Sequence, residues 1–380
     1  MQRNPKPSWH ALAVVTLSAV LAACGGDKGE FPRDANPGLA AVLTVAPEDS
    51  GDGLAVSSPA AEDIDANALV ATMEAIRDGR FRGVDSMLIA RHGKLVAESY
   101  FNGYGRDTLH DLRSTGKSIT SALAGIAIDQ GAFGLDDPVA QLLPGFEDHK
   151  NMSDRKRAIS VRHLLDMSSG LECNDWDPAS PGQEEKMYDK RDWPGFILDL
   201  RMVRDPGALA EYCTGGVVVL GKIISTRSGM ALDDFATAYL FGPLGIRQAD
   251  WRRSPDGQAT GGGGLRLRPR DAVKFGLLYA AGGSWNGARV LPATWVEQSR
   301  RRTYGLGTEG YGYGLLWWKR TFVRGNGTIE SYFTSGNGGN FIFVIPALDV
   351  VAVFTGSNYN SDSMNRPFGL LGDRVLAAVR

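Results

Sequence analysis

The densest run of reactive side chains is Asp111-Leu112-Arg113-Ser114-Thr115-Gly116-Lys117-Ser118. Two chemistries compete for it. Gly116-Lys117-Ser118 matches the end of a phosphate-binding loop, GxxxxGK[ST]. That motif needs glycine at position 111, where the backbone must hug phosphate. Asp111 stands there, and its charge repels phosphate. The other chemistry is nucleophilic. If Ser114 opens a helix, Lys117 lies one turn along on the same face. A serine hydroxyl is a poor nucleophile without an adjacent base. An amine serves as that base only where burial and its neighbours disfavour the ammonium form. The same spacing also fits a capping serine followed by a solvated lysine, so the pair alone decides little.

Two later passages add weight. Glu211-Tyr212-Cys213-Thr214 precedes an apolar run. A tyrosine followed two residues on by a hydroxyl can point both groups into one cleft. Thr334-Ser335-Gly336-Asn337-Gly338-Gly339 lies between two strand patterns. A strand edge there could offer a backbone N–H to an oxyanion, together with the N–H of Ser114. The same glycines also fit a bulged hairpin turn. Other residues weigh less. The histidines are scattered, and no GxSxG elbow, CxxC or HExxH occurs, so neither an α/β-hydrolase triad nor a zinc site is expected. No metal and no organic cofactor are expected. Gly261–Gly264 reads as a flexible turn lining the cleft, and Tyr188 as a polar-loop residue able to close over substrate. Trp317 and Trp318 should alternate between core and pocket wall.

The order S-x-x-K, Y-x-T, T-S-G resembles the serine β-lactamase and penicillin-binding-protein superfamily, where the motifs run S-x-x-K, Y-x-[NS], [KH]-[TS]-G. The passages DLRSTGKSITSALAGIAIDQG, EYCTGGVVVLGKIIS and GGNFIFVIPALDVVAVFTG are similar to its class C-like branch, with carboxylesterases and 6-aminohexanoate-dimer hydrolases. The resemblance spans roughly Asp85 to Asn358. It implies Ser114 as nucleophile, Lys117 as proton acceptor, and Tyr212 as base or relay and as acid to the leaving group. Thr214 would bond Lys117 or substrate. Thr334, Ser335 and Gly336 would line the substrate side, and the N–H groups of Ser114 and Asn337 would form the oxyanion hole. Thr334 replaces the Lys or His of the third motif, which weakens the expectation of β-lactam recognition. The implied reaction is hydrolysis of an ester or amide. A ligand sensor of the penicillin-binding type, without turnover, is the rival reading.

These residues must be positioned by a chain of 380 residues, 43% hydrophobic and 22% charged, with formal net charge −2. No basic face for nucleic acid is expected at that balance. Arg3, Lys6 and the apolar run Ala11 to Ala23 read as an export signal too short to span a bilayer. Leu21-Ala22-Ala23-Cys24 resembles a lipobox, with Cys24 as the lipidated first residue of the mature chain. The chain is thus expected on the periplasmic side, anchored by lipid to a bacterial membrane. Residues 25–64 read as a tether and 65–380 as one hydrolase domain. Cys173 and Cys213 remain, and two thiols in an oxidising compartment can pair. A helix is expected near Ala66, a hairpin over Met87 to Phe101 turning at His92-Gly93, and a helix over Ile119 to Gln130. A mostly helical middle follows. YGYGLLWWKR, IESYFTS and NFIFVIPALDVVAVFTG read as C-terminal strands, and a last helix is expected over Phe368 to Val379. Strands at both ends enclosing helices imply an α+β fold: an antiparallel sheet flanked by helices, with an inserted helical subdomain. Expression in a bacterial host tests the anchor. Wild type should fractionate with membranes and Cys24→Ala with soluble periplasm; soluble wild type would refute lipidation.

Overall fold

A computed structural model describes residues 46–301, 304–306 and 310–380. Cys24, the signal segment and the first part of the expected tether lie outside the described residues. Strands Val84–Arg91 (β1) and Lys94–Tyr100 (β2) form the expected hairpin. Its turn, His92-Gly93, has positive φ at both residues, which suits the right-handed twist of two-residue hairpins. Short strands His110–Asp111 (β3), Asp250–Trp251 (β4) and Leu265–Leu267 (β5) make a second sheet in the order β3-β5-β4. Ser284–Trp285 (β6) and Ala288–Arg289 (β7) form a small hairpin. Gly312–Gly314 (β8), Trp317–Arg324 (β9), Gly327–Gly336 (β10), Asn340–Ile345 (β11) and Val350–Gly356 (β12) return to the main sheet. Its order is β2-β1-β12-β11-β10-β9-β8, antiparallel throughout. Early and late parts of the described chain therefore meet where β1 pairs with β12.

Both faces of this sheet are covered, which is why the apolar stretches 87–90, 341–345 and 350–354 show no alternation with polar residues. Met87, Ile89, Phe341, Phe343 and Phe354 face one core, closed by helix Ala66–Arg77 (α1) and the helical segment 366–378. Leu88, Ala90, Ile342, Val344, Val351 and Val353 face the other, against the helical part of the chain. The helices that matter there are Gly116–Asp129 (α2), Val161–Leu165 (α3), Glu184–Tyr188 (α4), Trp193–Leu198 (α5), Thr214–Ser228 (α6) and Pro269–Ala280 (α7).

Two expectations need correction. YGYGLLWWKR is a hairpin, not one strand: β8 and β9 pair antiparallel across Leu315-Leu316, both at positive φ. Leucine resists that conformation, so the surroundings must impose it. Leu315 N–H donates to Asp166 Oδ1 at 3.0 Å, Leu316 N–H to Leu165 O at 3.0 Å, and Ser118 Oγ to Leu316 O at 2.7 Å. Both leucine side chains are buried, which opposes the backbone strain.

Residues 46–64, read as tether, belong to the domain. Leu54 and Ile64 are buried, and Val56 bridges to Leu95. Arg270 is buried with its guanidinium on Asp52, Glu98 and the Glu48 carbonyl. The polar composition hid three apolar anchors. Glu62 lies between Lys94 Nζ at 2.7 Å and His92 Nδ1 at 2.9 Å. The hydrogen bond from Lys94, then those from Ser57 and His92, take its carboxyl from an ordinary 4.5 down to about 2. A carboxyl depressed on folding adds stability above its unfolded pKa and loses it as pH falls through the folded one. Thermal melts should therefore show wild type losing stability between about pH 5 and pH 2 more steeply than Glu62→Gln. Parallel curves would refute the contribution.

Candidate active site

The register of the small sheet builds the site. His110 pairs with Leu267 and Asp111 with Arg266, and Leu112 N–H donates to Leu265 O. Continuing that antiparallel pairing brings the turn after β3 against the glycine run before β5. The turn is a 3-10 turn, Arg113–Thr115, leading into α2. Arg113 is left-handed at φ 52°, a conformation that non-glycine residues seldom hold. Its N–H donates to Asp111 Oδ1 at 2.8 Å, and its guanidinium lies 4.5 Å over the Tyr359 ring. Asp111 therefore holds the backbone turn beside Ser114.

Lys117 is only 2% exposed. Its Nζ donates to Ser114 Oγ at 2.8 Å and to Gly262 O at 2.5 Å, and lies 5.2 Å from the Tyr212 ring centroid. The three expected catalytic side chains thus converge. The glycine run is a packed wall more than a flexible turn. A Cβ on Gly262 would sit 2.7 Å from Thr214 Cγ2 and 3.1 Å from Thr214 O. Only glycine brings that carbonyl close enough to hold Lys117.

Tyr212 lies two residues before α6, and Cys213, with extended backbone, caps that helix through Sγ, which accepts from Gly216 N–H. Trp176 stacks on Tyr212 with centroids 5.3 Å apart and planes 5° apart. Trp318 lies 6.1 Å from Tyr212, while Trp317 packs in the core on Phe275 and Tyr279. The two tryptophans alternate as expected. Cys173 and Cys213 form a disulfide, so the open pairing is realised beside Tyr212.

Other expected residues are placed differently. Thr214 begins α6, and its buried side chain packs on Gly262 instead of reaching Lys117. Thr334 does not line the substrate side. It is fully buried, accepts Ile342 N–H at 3.0 Å, and donates to Thr115 Oγ1 at 3.2 Å. A side chain shorter than lysine ends behind the nucleophile turn. Ser335 is half-buried on the opposite face of β10. Gly336 presses on the turn: a Cβ there would collide with the Leu112 carbonyl oxygen. The Asn337 side chain is bonded both ways to Asn360, at 2.7 and 2.9 Å, and the Asn337 backbone carbonyl accepts the Asn340 side-chain amide at 2.8 Å. Tyr188 closes helix α4 instead of sitting in a polar loop. Its hydroxyl donates to Glu184 at 2.9 Å, and its ring lies between Trp193 and the Arg252 guanidinium.

Sequence reasoning missed Asp175 and Trp176. Asp175 N–H donates to Tyr212 O at 2.8 Å, and Asp175 Oδ2 accepts Thr214 N–H at 2.6 Å. Burial lifts its carboxyl to about 6; the Glu184 charge adds to this and Lys117 opposes it. Their one signal was position, two and three residues after Cys173. Among the described residues no group of His, Cys, Asp and Glu is placed to hold a metal ion.

The packing of the glycine run yields a test. Gly262→Ala should shift the loop against Thr214, cost roughly 1–3 kcal/mol and lower kcat by pulling the carbonyl from Lys117. A folded variant with wild-type turnover would show that the carbonyl contact is dispensable.

Known proteins share this fold. A family model described as Beta-lactamase matches residues 67–372. The 6-aminohexanoate-dimer hydrolase of Paenarthrobacter ureafaciens is 27% identical over 264 residues, 64% of this chain and 66% of that one. The chain thus spans just under two thirds of that hydrolase. Esterase EstB of Burkholderia gladioli is 24% identical over 330 residues, 68% of this chain and 82% of its own. The class C β-lactamase of Rhodobacter sphaeroides has the same fold, with TM-score 0.59 at 17% identity, covering 80% of this chain and 98% of its own. With more than half its length matched, the chain belongs to the Beta-lactamase family.

Proposed function

We propose that this protein hydrolyses an uncharged ester or small amide through an acyl-enzyme on Ser114. The carrying observation is the buried Lys117 amine, 2.8 Å from Ser114 Oγ beside the Tyr212 ring. In this reading Lys117 takes the Ser114 proton as the hydroxyl oxygen attacks the substrate carbonyl. The N–H groups of Ser114 and Asn337 stabilise the oxyanion. Tyr212 relays that proton from Lys117 to the leaving group as the acyl bond breaks, and water then attacks the acyl-enzyme, one of its protons returning to Ser114 Oγ as the acid leaves.

Three observations support an uncharged substrate. Thr334 is buried and brings no cation to the third motif. Arg113 is stacked on Tyr359 and paired with Asp111 at 3.2 Å. Arg266 is paired with Asp250 at 3.6 Å. The names of the hydrolase and esterase relatives fit the same substrate class.

A fluorophosphonate probe should label Ser114 once in wild type and not at all in Ser114→Ala. Lys117→Ala and Tyr212→Phe should stay folded and lose roughly 10²–10⁴ in kcat on p-nitrophenyl esters. On the same preparation, kcat/KM for a chromogenic cephalosporin should fall below that for a neutral short-chain ester by roughly 10- to 150-fold, the cost of one missing charge-assisted contact. A label elsewhere would overturn the nucleophile. Equal cephalosporin turnover would overturn the substrate class. A burst of product without steady-state turnover would instead mark a ligand sensor.

A further inference from the structure

The second motif is held on every residue by one short segment. Cys173 is bonded to Cys213. Asp175 N–H donates to Tyr212 O, and Asp175 Oδ2 accepts Thr214 N–H. Trp176 lies flat against the Tyr212 ring. The second carboxylate oxygen, Asp175 Oδ1, accepts the Glu184 N–H at 3.0 Å. One carboxylate thus grips the first residues of both α6 and α4.

We propose that Asp175 is a positioning residue that, in its ionised form, clamps residues 212–214 and sets Tyr212 for proton transfer. The inference rests on the acyl-enzyme reading above. Only a carboxylate offers acceptors on both oxygens. An asparagine turns its NH2 toward one of the two N–H donors, and a protonated aspartate carries a hydrogen on one oxygen. Either change opens one side of the clamp. The negative charge also suits the N-terminal end of the 15-residue helix α6. The groups facing Asp175 are Glu184 and Tyr188 on α4, Lys117 on α2 and Thr214 on α6. Burial and the Glu184 carboxylate put its protonation near pH 6, against the pull of Lys117. The disulfide keeps the two segments adjacent when the carboxylate is neutral, so acid loosens Tyr212 without releasing the loop.

The test measures kcat and KM on p-nitrophenyl acetate from about pH 5 to 8, with thermal melts and fluorophosphonate labelling of the full chain. Wild-type kcat should fall as pH drops through about 6. Asp175→Asn should lower kcat by about 10- to 100-fold, leave KM near wild type, and lose that inflection. Glu184→Gln keeps an acceptor for the Tyr188 hydroxyl and removes the repelling charge. It should move the inflection to lower pH and leave kcat at pH 8 unchanged. An unmoved inflection in Glu184→Gln overturns the proposal even if Asp175→Asn fails to fold. So does a folded Asp175→Asn with wild-type kcat and inflection. Labelling separates the two readings: a clamp that fails leaves Ser114 labelled, whereas loss of the acyl-enzyme reading shows as a label that Ser114→Ala does not remove.

Discussion

An amine taken out of water must find oxygen partners, and the burial of Lys117 organises much of this structure. Its two partners are Ser114 Oγ and the Gly262 carbonyl. The first comes from its own helix, one turn away. The second comes from a loop 145 residues later, and the β3–β5 pairing delivers it. That pairing involves only two residues of β3, so close packing must do the rest. Gly262 presses on Thr214, and Gly261 receives the Thr120 hydroxyl at its carbonyl. Helices α2 and α6 are thereby tied to one wall of the cleft. The residues that face a substrate are then held by backbone geometry more than by side-chain length.

The sheet supplies the opposite wall, and α2 and the turn that leads into it reach that wall in two places. Thr115 Oγ1 donates to the Asn340 carbonyl at 2.8 Å and receives the Thr334 hydroxyl. Ser118 Oγ holds the Leu316 carbonyl in the strained turn before Trp317 and Trp318. Residues flanking Ser114 and Lys117 thus anchor the strands that shape the cleft. This gives a physical sense to Thr334: its hydroxyl joins the sheet to the nucleophile turn, a role for which a short side chain suffices. Asp175 illustrates the opposite economy. A carboxylate pushed up by burial and a like charge is held where it costs stability, a common mark of a functional position.

The local signals in the chain were of unequal strength. Alternating or periodic apolar residues announced α1, α2 and the β1–β2 hairpin, because burial on one face leaves a pattern at short range. Leu315-Leu316 left no such mark. Nothing in two leucines announces a reversed turn, since the hydrogen bonds that impose it come from Leu165, Asp166 and Ser118. Leu54, Val56 and Ile64 were similarly too sparse to reveal that residues 46–64 fold onto the domain.

The sequence by itself determined the α+β class, the pairing of Ser114 with Lys117, and the company of Tyr212. Those follow from helix geometry and from motif order, both of which are written along the chain. Only the tertiary structure decided which neighbours act with them. It turned Thr334 inward, tied Tyr188 to Glu184, and placed the Gly262 carbonyl on Lys117. It also joined Cys173 to Cys213 and brought Asp175 to both sides of Tyr212. The reason is physical. A hydroxyl or carboxylate has no fixed partner until packing brings a distant backbone group within about 3 Å of it.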